Sequence, residues 1–432
     1  MWVPPNDLLK LSAGFFSLRP TMLRLEIQGL GPSALALGQM LLREGWQGDL
    51  GDLYPHEDIQ ANRTEDPLQH RAIGQRSLAL SAGSLQLIKR CTGALPKGAD
   101  ITSVEVQIGA RSASQVGYGL MMRNEELGLE RLGRVVVWSD LVEHLKVKLN
   151  PRNKSQQVID HHQARVFAER ASAQADPWCI RVWADGDPGS EVLEEDPQQS
   201  AIIGRVYLSG APRGWALERF LPDGPLALLP DQQNQAMQLV WCSKQVLSES
   251  RFEALKHPMS SESEMAMCRA LNMALPKGIV VTGFDKDMHC VKLKRRARAE
   301  ILRIRPETRE VDIWIANAAQ SLHPVAGQGL NLGLRDAAEL ARCLVDLQQS
   351  IRHCERLPSG MLVTTLKRFE QQRQRDRWLM MQITDQLAKQ SSRFWFQALA
   401  PYALKLATQA PLKRLIMQTF AFGPREPWPL LH

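Results

Sequence analysis

Between Gln328 and Leu347, apolar residues recur at Leu330, Leu334, Ala337, Ala341 and Leu344, the three-and-four spacing that one face of a helix produces. Near the other end, Leu23 to Ile27 alternates apolar and polar residues as a strand does, GLGPSA follows, and Leu35 to Glu44 reads as a helix closed by Gly45. The stretch from Trp46 to Pro67 is rich in Gly, Asp, Pro and Asn and predicts a poor second strand. Ser77 to Arg90 predicts a helix entry and a helix, and Arg134 to Trp138 a strand leading into a helix from Asp140. Ile180 to Trp183 predicts a strand running into the turn ADGDPGS. Alternation at Ala201 to Leu208, Trp215 to Leu221 and Gln238 to Cys242 predicts an antiparallel sheet. Val311 to Ala316 is again strand-like, and from Met361 onward the pattern is helical, with breaks at Pro401 and Pro411.

With 432 residues, 44% of them hydrophobic, the chain is long enough for two or three domains with shared cores. The seven cysteines are scattered without a CxxC pair, which predicts reduced thiols in a cytoplasmic-type compartment and no metal site. The first 21 residues lack the basic start and long apolar run of a secretory signal and predict an N-terminal extension. No window reaches the ~20 apolar residues of a membrane-spanning helix. The formal net charge is +7, and residues 351–432 alone hold 13 Lys plus Arg against 5 Asp plus Glu. Such a tail suits a solvated helical face first, and an anionic lipid surface or acidic partner second. Without a zinc finger or a basic-aromatic ladder, nucleic acid is not an expected partner.

Three stretches carry candidate chemistry. In IWIANAAQSLHPVAGQGLNLGLRDAAELA, a strand and a short loop with Pro324 lead to a helix whose first amides, at Gly327, Gln328 and Gly329, point outward and attract negative charge. His323 in this loop is a candidate acid or base, or a residue that shapes a pocket. The turn Gly29-Leu30-Gly31-Pro32-Ser33-Ala34 has the strand, glycine turn and helix order of a dinucleotide-binding unit, with Ala34 in place of a third glycine. Asp52 is the best placed acid for a ribose after it. The third stretch is Asp185-Gly186, followed by Ser190; an Asp-Gly surface turn explains it equally well.

The segment from Ile313 to Asp336 resembles the second flavin-binding motif of the FAD-dependent aromatic hydroxylases of ubiquinone biosynthesis. Asp185-Gly186 resembles that family's Asp-Gly fingerprint, Arg76 to Ile88 its segment with a flavin-side arginine at Arg76, and Trp215 to Pro230 its substrate-domain strands. In the tail, Arg373, Asp376, Thr384 and Asp385 match its RRxRD and TD elements. The resemblance implies FAD as cofactor. Its expected contacts are Gly29, Gly31, Ala34, Asp52, Arg76, Asp185, Asn317, Pro324, Gly327, Gln328, Gly329 and Asn331, with His323 and Pro324 beside the reacting ring. It also implies an α/β fold: an FAD-binding, Rossmann-like domain (22–90, 131–199 and 305–350), an interleaved antiparallel-sheet substrate domain (91–130 and 200–304) and a helical C-terminal region (351–432). The implied partners are an aromatic or polyprenylated phenol, O2 and an unidentified electron donor. The implied location is cytoplasmic, with peripheral contact to the inner membrane. A turn at Pro222 to Gly224 is expected to aim a loop at the ring.

A second reading stays open: a relative that has lost catalysis and serves as a subunit of a biosynthetic complex. Four features favour it: Ala316 where the family has Gly, the polar residues Arg24, Glu26 and Gln28 in the first strand, the lack of a clean second-strand acid, and a longer Asp-Gly spacing.

Overall fold

The computed structural model describes residues 23–46, 49–50, 76–108, 118–146, 177–186, 191–233, 235–256, 261–322, 327–351, 354, 357–390 and 406–423. Asp52, Ser190, His323 and Pro324 lie outside these residues. In chain order the elements begin with β1 (Leu23–Gln28), α1 (Pro32–Arg43), β2 (Asp49–Leu50), β3 (Ser77–Ser81) and α2 (Ala82–Thr92). Next come β4 (Ala99–Ile101), β5 (Ser103–Ile108), β6 (Tyr118–Arg123), β7 (Gly133–Val137), α3 (Trp138–Lys146), β8 (Trp178–Trp183) and β9 (Val192–Glu195). The long antiparallel run is β10 (Gln199–Ser209), β11 (Trp215–Leu221), β12 (Gly224–Pro230) and β13 (Ala236–Lys244), followed by α4 (Gln245–Lys256) and α5 (Ser261–Asn272). Strands β14 (Val280–Phe284), β15 (His289–Lys292), β16 (Arg295–Arg298), β17 (Leu302–Arg305) and β18 (Glu310–Trp314) lead to the short α6 (Ala316–Ala319) and β19 (Gln320–Ser321). The chain closes with α7 (Gln328–Ile351), α8 (Ser359–Gln390) and α9 (Ala410–Phe422).

The first large sheet has five strands in the order β17-β18-β8-β1-β2. Its strands β18, β8, β1 and β2 are parallel, and β17 adds an antiparallel edge. One face is apolar: Leu23, Leu25, Ile27, Ile180, Val182, Val311 and Ile313 pack against Leu35, Leu37 and Leu41 of α1 and Leu334, Ala337, Ala341 and Leu344 of α7. The other face explains the polar residues of β1. There Arg24 meets Glu26 at 3.1 Å, Glu26 meets Arg181 at 3.5 Å, Arg181 meets Asp312 at 3.2 Å, and Arg305 meets Asp312 at 2.6 Å. A parallel strand needs two apolar faces only when both are covered by helices. Here the second face carries a charge ladder instead.

The eight-stranded sheet runs β14-β10-β13-β12-β11-β5-β6, with β15 also paired to β10. Its join is the parallel pairing of β5 with β11, Ser103 opposite Trp215 and Ile108 opposite Phe220. Small sheets β3-β7-β4 and β19-β16-β9 link the two large ones. The segment from Ser77, expected to be a helix entry, is strand β3, and the helix begins only after Ser81, whose hydroxyl accepts the Ser84 amide at 3.4 Å. All five residues of SLALS pair along β7, whose Val135, Val136 and Val137 are β-branched, and that tertiary ladder overrides the helical reading. Pro222 and Asp223 form a two-residue link between β11 and β12, and Asp223 is held by Arg251 at 2.6 Å. Arg251 also stacks over Trp241, 4.0 Å from its ring centre, so the turn is tied to the α4 side of the sheet and does not form a loop aimed elsewhere.

Candidate functional site

The α1 helix begins at Gly31 with Pro32 in its first turn, no acidic residue in that turn and no side-chain cap of its own. Its leading amides therefore need an acceptor from elsewhere. The acceptor is Asp185, at the end of the parallel neighbour β8, which takes the amide of Gly31. Gly29 adopts φ +130°, and a Cβ there would lie 2.5 Å from an Asp185 carboxylate oxygen; the glycines thus admit the carboxylate to the turn. Arg76 stands nearby, 5.8 Å from the centre of the Trp138 ring, and its charge acts on Asp185. Loss of water around Asp185 pushes its pKa above the ordinary carboxylate value, against the opposing pull of the Gly31 and Leu30 amides and of Arg76. Ala34 is fully buried and packs α1 on the sheet, the role of a small third residue in such turns. Asp49 and Leu50 form only a short edge strand beside β1.

The second half of the site is the start of α7. Gly327 has φ +56°, and a Cβ there would come 3.3 Å from Ala79 of β3; one at Gly329 would meet none of the described residues within 4 Å. Among the described residues, nothing fills the helix mouth at Gly329. Gln328 is buried beneath it. Asn331, expected as a direct ligand contact, uses its side chain inside the protein: its carbonyl oxygen accepts the Ser81 amide at 2.8 Å, and its amide nitrogen donates to Ala79 at 2.9 Å and to Gly327 at 2.8 Å. It fixes the mouth to β3. Asn317, in α6, has an exposed side chain.

Ala316 occupies a left-handed conformation, φ +51°, and its amide donates to Asp336 of α7 at 3.2 Å. Its methyl group is accommodated by Gly333, where a Cβ would sit 2.7 Å from that of Ala316 and 2.7 Å from the Ser33 hydroxyl. The residue that departs from the family's glycine is therefore matched by a glycine on the facing helix. Asp336 also binds Arg373 of α8 at 2.6 Å, and Arg373 binds Asp376; all three are buried. Arg377, likewise buried, donates to the carbonyls of Arg298 and Ala319 at 3.2 and 3.1 Å. Asp336 and Arg377 were not singled out from the sequence. The available signal was an acid and a base at buried positions of helices, which periodicity alone marks as outliers.

The glycine turn, Asp185 and Arg76 thus gather at the end of β1 and β8, and Gly327, Gln328 and Gly329 form the start of α7, while α6 meets that helix further along, at Gly333 and Asp336. Both groups lie along the edge at which α1 and α7 cross, where Ser33 meets Gly333.

No family model matches the chain. It is 32% identical over 243 residues to the ubiquinone hydroxylase UbiL of Rhodospirillum rubrum, covering 53% of this chain and 50% of that protein. It is 26% identical over 182 residues to the 3-demethoxyubiquinol 3-hydroxylase of Escherichia coli, covering 42% and 41%. The chain spans about half the length of the curated relatives it matches. Among solved structures, HpxO of Klebsiella pneumoniae, complexed with FAD and uric acid, aligns over 92% of this chain and 96% of its own, with a TM-score of 0.57 at 10% identity. The p-nitrophenol 4-monooxygenase PnpA of Pseudomonas putida aligns over 93% and 98%, with a TM-score of 0.55 at 12% identity. The chain is therefore a relative of the ubiquinone-biosynthesis aromatic hydroxylases, built on the fold of the flavin monooxygenases.

Proposed function

We propose that the chain binds FAD between the Gly29–Gly31 turn and the start of α7, and hydroxylates an electron-rich phenolic ring of the ubiquinone-precursor type. The observation that carries this reading is the mouth of α7: the helix start at Gly327 to Gly329, where no described residue lies within 4 Å of a Cβ at Gly329, held in register by Asn331. A helix start of this kind stabilises negative charge, which a reduced flavin bears on its pyrimidine edge. The turn at Gly31 is an anion cradle as well, since a carboxylate already rests in it. When bound, FAD supplies the activation of O2 and the transfer of one oxygen atom to the ring. The protein's part is orientation and electrostatics: Gly327 to Gly329 would hold the pyrimidine edge, Asn317 the ribityl chain, and Gly31 with Arg76 the phosphate side. A polyprenylated substrate also suits contact with a lipid surface. Leu406, Leu412 and Leu415, on and before α9, are 58%, 43% and 59% exposed beside Arg414 and support such contact. Among the described residues, no helix is long and apolar enough to cross a membrane.

The visible spectrum of the purified protein, with and without added FAD, tests this reading. A yellow, stoichiometric complex is expected, and Gly329→Val should lose it while folding normally, because none of the described residues lies within 4 Å of the added Cβ. A wild-type protein that stays colourless after reconstitution would instead support a non-enzymatic subunit. The Asp185 carboxylate already seated in the glycine turn is the feature that favours this second reading.

A further inference from the structure

Helix α9 is anchored along one side and bare along the other. Met417 is buried with Ala407, Leu120 and Met122 at the β5–β6 end of the eight-stranded sheet, and Lys413 meets Glu126, in the turn after β6, at 2.5 Å. The far end of the helix meets elements that pack on the parallel sheet. A Cβ at Gly83 of α2 would lie 3.0 Å from the Ala421 carbonyl oxygen, and one at Gly423 would lie 3.0 Å from the Arg335 guanidinium of α7. Helix α9 therefore bridges β6 to α2 and α7, and these contacts fix which of its sides faces outward. Pro411, Leu412, Arg414 and Leu415 on that side are exposed, and so is Leu406 just ahead of the helix. Leu412 and Leu415, three positions apart, are neighbours on the helix surface and form one apolar strip.

Charge decides what such a strip can meet. Residues 386–425 hold six basic residues, Lys389, Arg393, Lys405, Lys413, Arg414 and Arg425, and no Asp or Glu. A second copy of the chain docked face to face would set like charges together with no acid in the segment to offset them. Exposed leucines beside unopposed basic residues are the composition of a helix that lies in a lipid–water boundary, its apolar side among acyl chains and its cations at anionic headgroups. We propose that the outer face of α9 docks the protein on an anionic bilayer surface, with Leu406, Leu412 and Leu415 in the boundary and Arg414 on the headgroups. This rests on the lipid contact in the reading above and deepens it, assigning the helix that makes the contact and the charge of the lipid that receives it. Because α9 touches both the eight-stranded sheet and the helices of the parallel one, docking through it sets the orientation of the whole molecule on the bilayer.

The test is cosedimentation of the full chain with vesicles of phosphatidylcholine alone or of equimolar phosphatidylcholine and phosphatidylglycerol, each with cofactor-free and FAD-treated protein. Wild type should bind the anionic vesicles at least about fivefold more tightly than the neutral ones, the scale of one basic residue near an anionic surface, and added salt should shrink the difference. Arg414→Gln should lose about fivefold on anionic vesicles and nothing on neutral ones. Leu412→Gln combined with Leu415→Gln should lose about tenfold or more on both, since it removes the inserted apolar area. Both variants should melt with wild type, because the changed side chains are exposed. Wild type that sediments with neither vesicle, or equally with both, would overturn the assignment, as would variants that keep wild-type binding. A dimer in gel filtration that the double leucine variant abolishes would give the face to a second copy and overturn it too. Failure to take up FAD, read from flavin absorbance in the same samples, would count against flavin binding alone, because the cofactor-free protein still reports docking.

Discussion

Asp185 accepts the amide of Gly31, a residue 154 positions earlier, and so closes the glycine turn with the protein's own carboxylate. Loss of water there is the largest influence on Asp185 and lifts its pKa above 3.8, although the amides and Arg76 pull the other way. The folded state therefore holds the proton more firmly than the unfolded chain does. The stability contributed by this group is full below the unfolded value and declines as pH rises through the folded one. Asp185→Asn keeps an acceptor for the amides and removes the titration. In urea denaturation of the cofactor-free protein, the variant should gain on wild type as pH rises from the acid side and then level off. A difference that does not change with pH would show that Asp185 is not titrating in this window.

Gly333 and Ala316 form a matched pair, and each limits what the other can be. Gly333→Ala drives a methyl group to 2.7 Å from both the Ala316 Cβ and the Ser33 hydroxyl, and should cost about 1–3 kcal/mol by overpacking. Ala316→Gly alone should be close to neutral, because release of a left-handed alanine, worth roughly 1–2 kcal/mol, offsets the greater freedom of glycine in the unfolded chain. The double variant should recover part of the loss. Chemical denaturation of the four proteins gives the coupling, and simple additivity would contradict the proposed contact.

Arg373 bridges Asp336 and Asp376 in a setting where all three are buried. Arg373→Ala leaves two carboxylates without their partner and should destabilise the fold by about 3–5 kcal/mol. Asp336 also receives the Ala316 amide, so FAD affinity should fall along with the melting temperature. Added salt should do little to either protein, since buried pairs are weakly screened. A melting temperature unchanged by the substitution would mean the bridge does not hold α8 to α7.

Asn331 and Gly329 lie on the same turn of α7 but should respond differently to substitution. Asn331→Ala removes two hydrogen bonds between the helix start and β3 and a third to the Gly327 carbonyl, and should lower stability by about 1–3 kcal/mol together with flavin binding. Gly329→Val should lower flavin binding only. Equilibrium unfolding alongside an FAD titration separates them, and a destabilised Gly329→Val would argue that the helix mouth is packed in solution.

Helix α7 was legible from its apolar spacing because that spacing is the face it buries against the parallel sheet. The antiparallel run of β10, β11 and β13 was legible for the same reason, with one face of each strand in a dry core. Strand β3 was misread because five residues carry too little periodicity to outweigh their ladder with β7. The polar residues of β1 looked like a defect only as long as both faces of the sheet were assumed to be covered. Asp185 was visible as a motif, but its seat in the glycine turn depends on two strands far apart in sequence meeting side by side. The basic tail was read as a charged surface, whereas Arg373 and Arg377 are interior. Net charge counts residues without regard to which side of a helix they occupy.

The parallel core is sewn from three distant passages of the chain: β1 at residue 23, β8 at 178 and β18 at 310. A ribosome must therefore release more than two thirds of the polypeptide before the central strand β8 has both parallel neighbours, and until then Leu23, Leu25 and Ile27 have an unfinished side. Nascent chains should depend on holding factors during synthesis, and contacts so far apart in sequence make closure slow. Fragments cut between the passages should not refold alone, while co-expressed halves that meet again at β8 could restore the sheet.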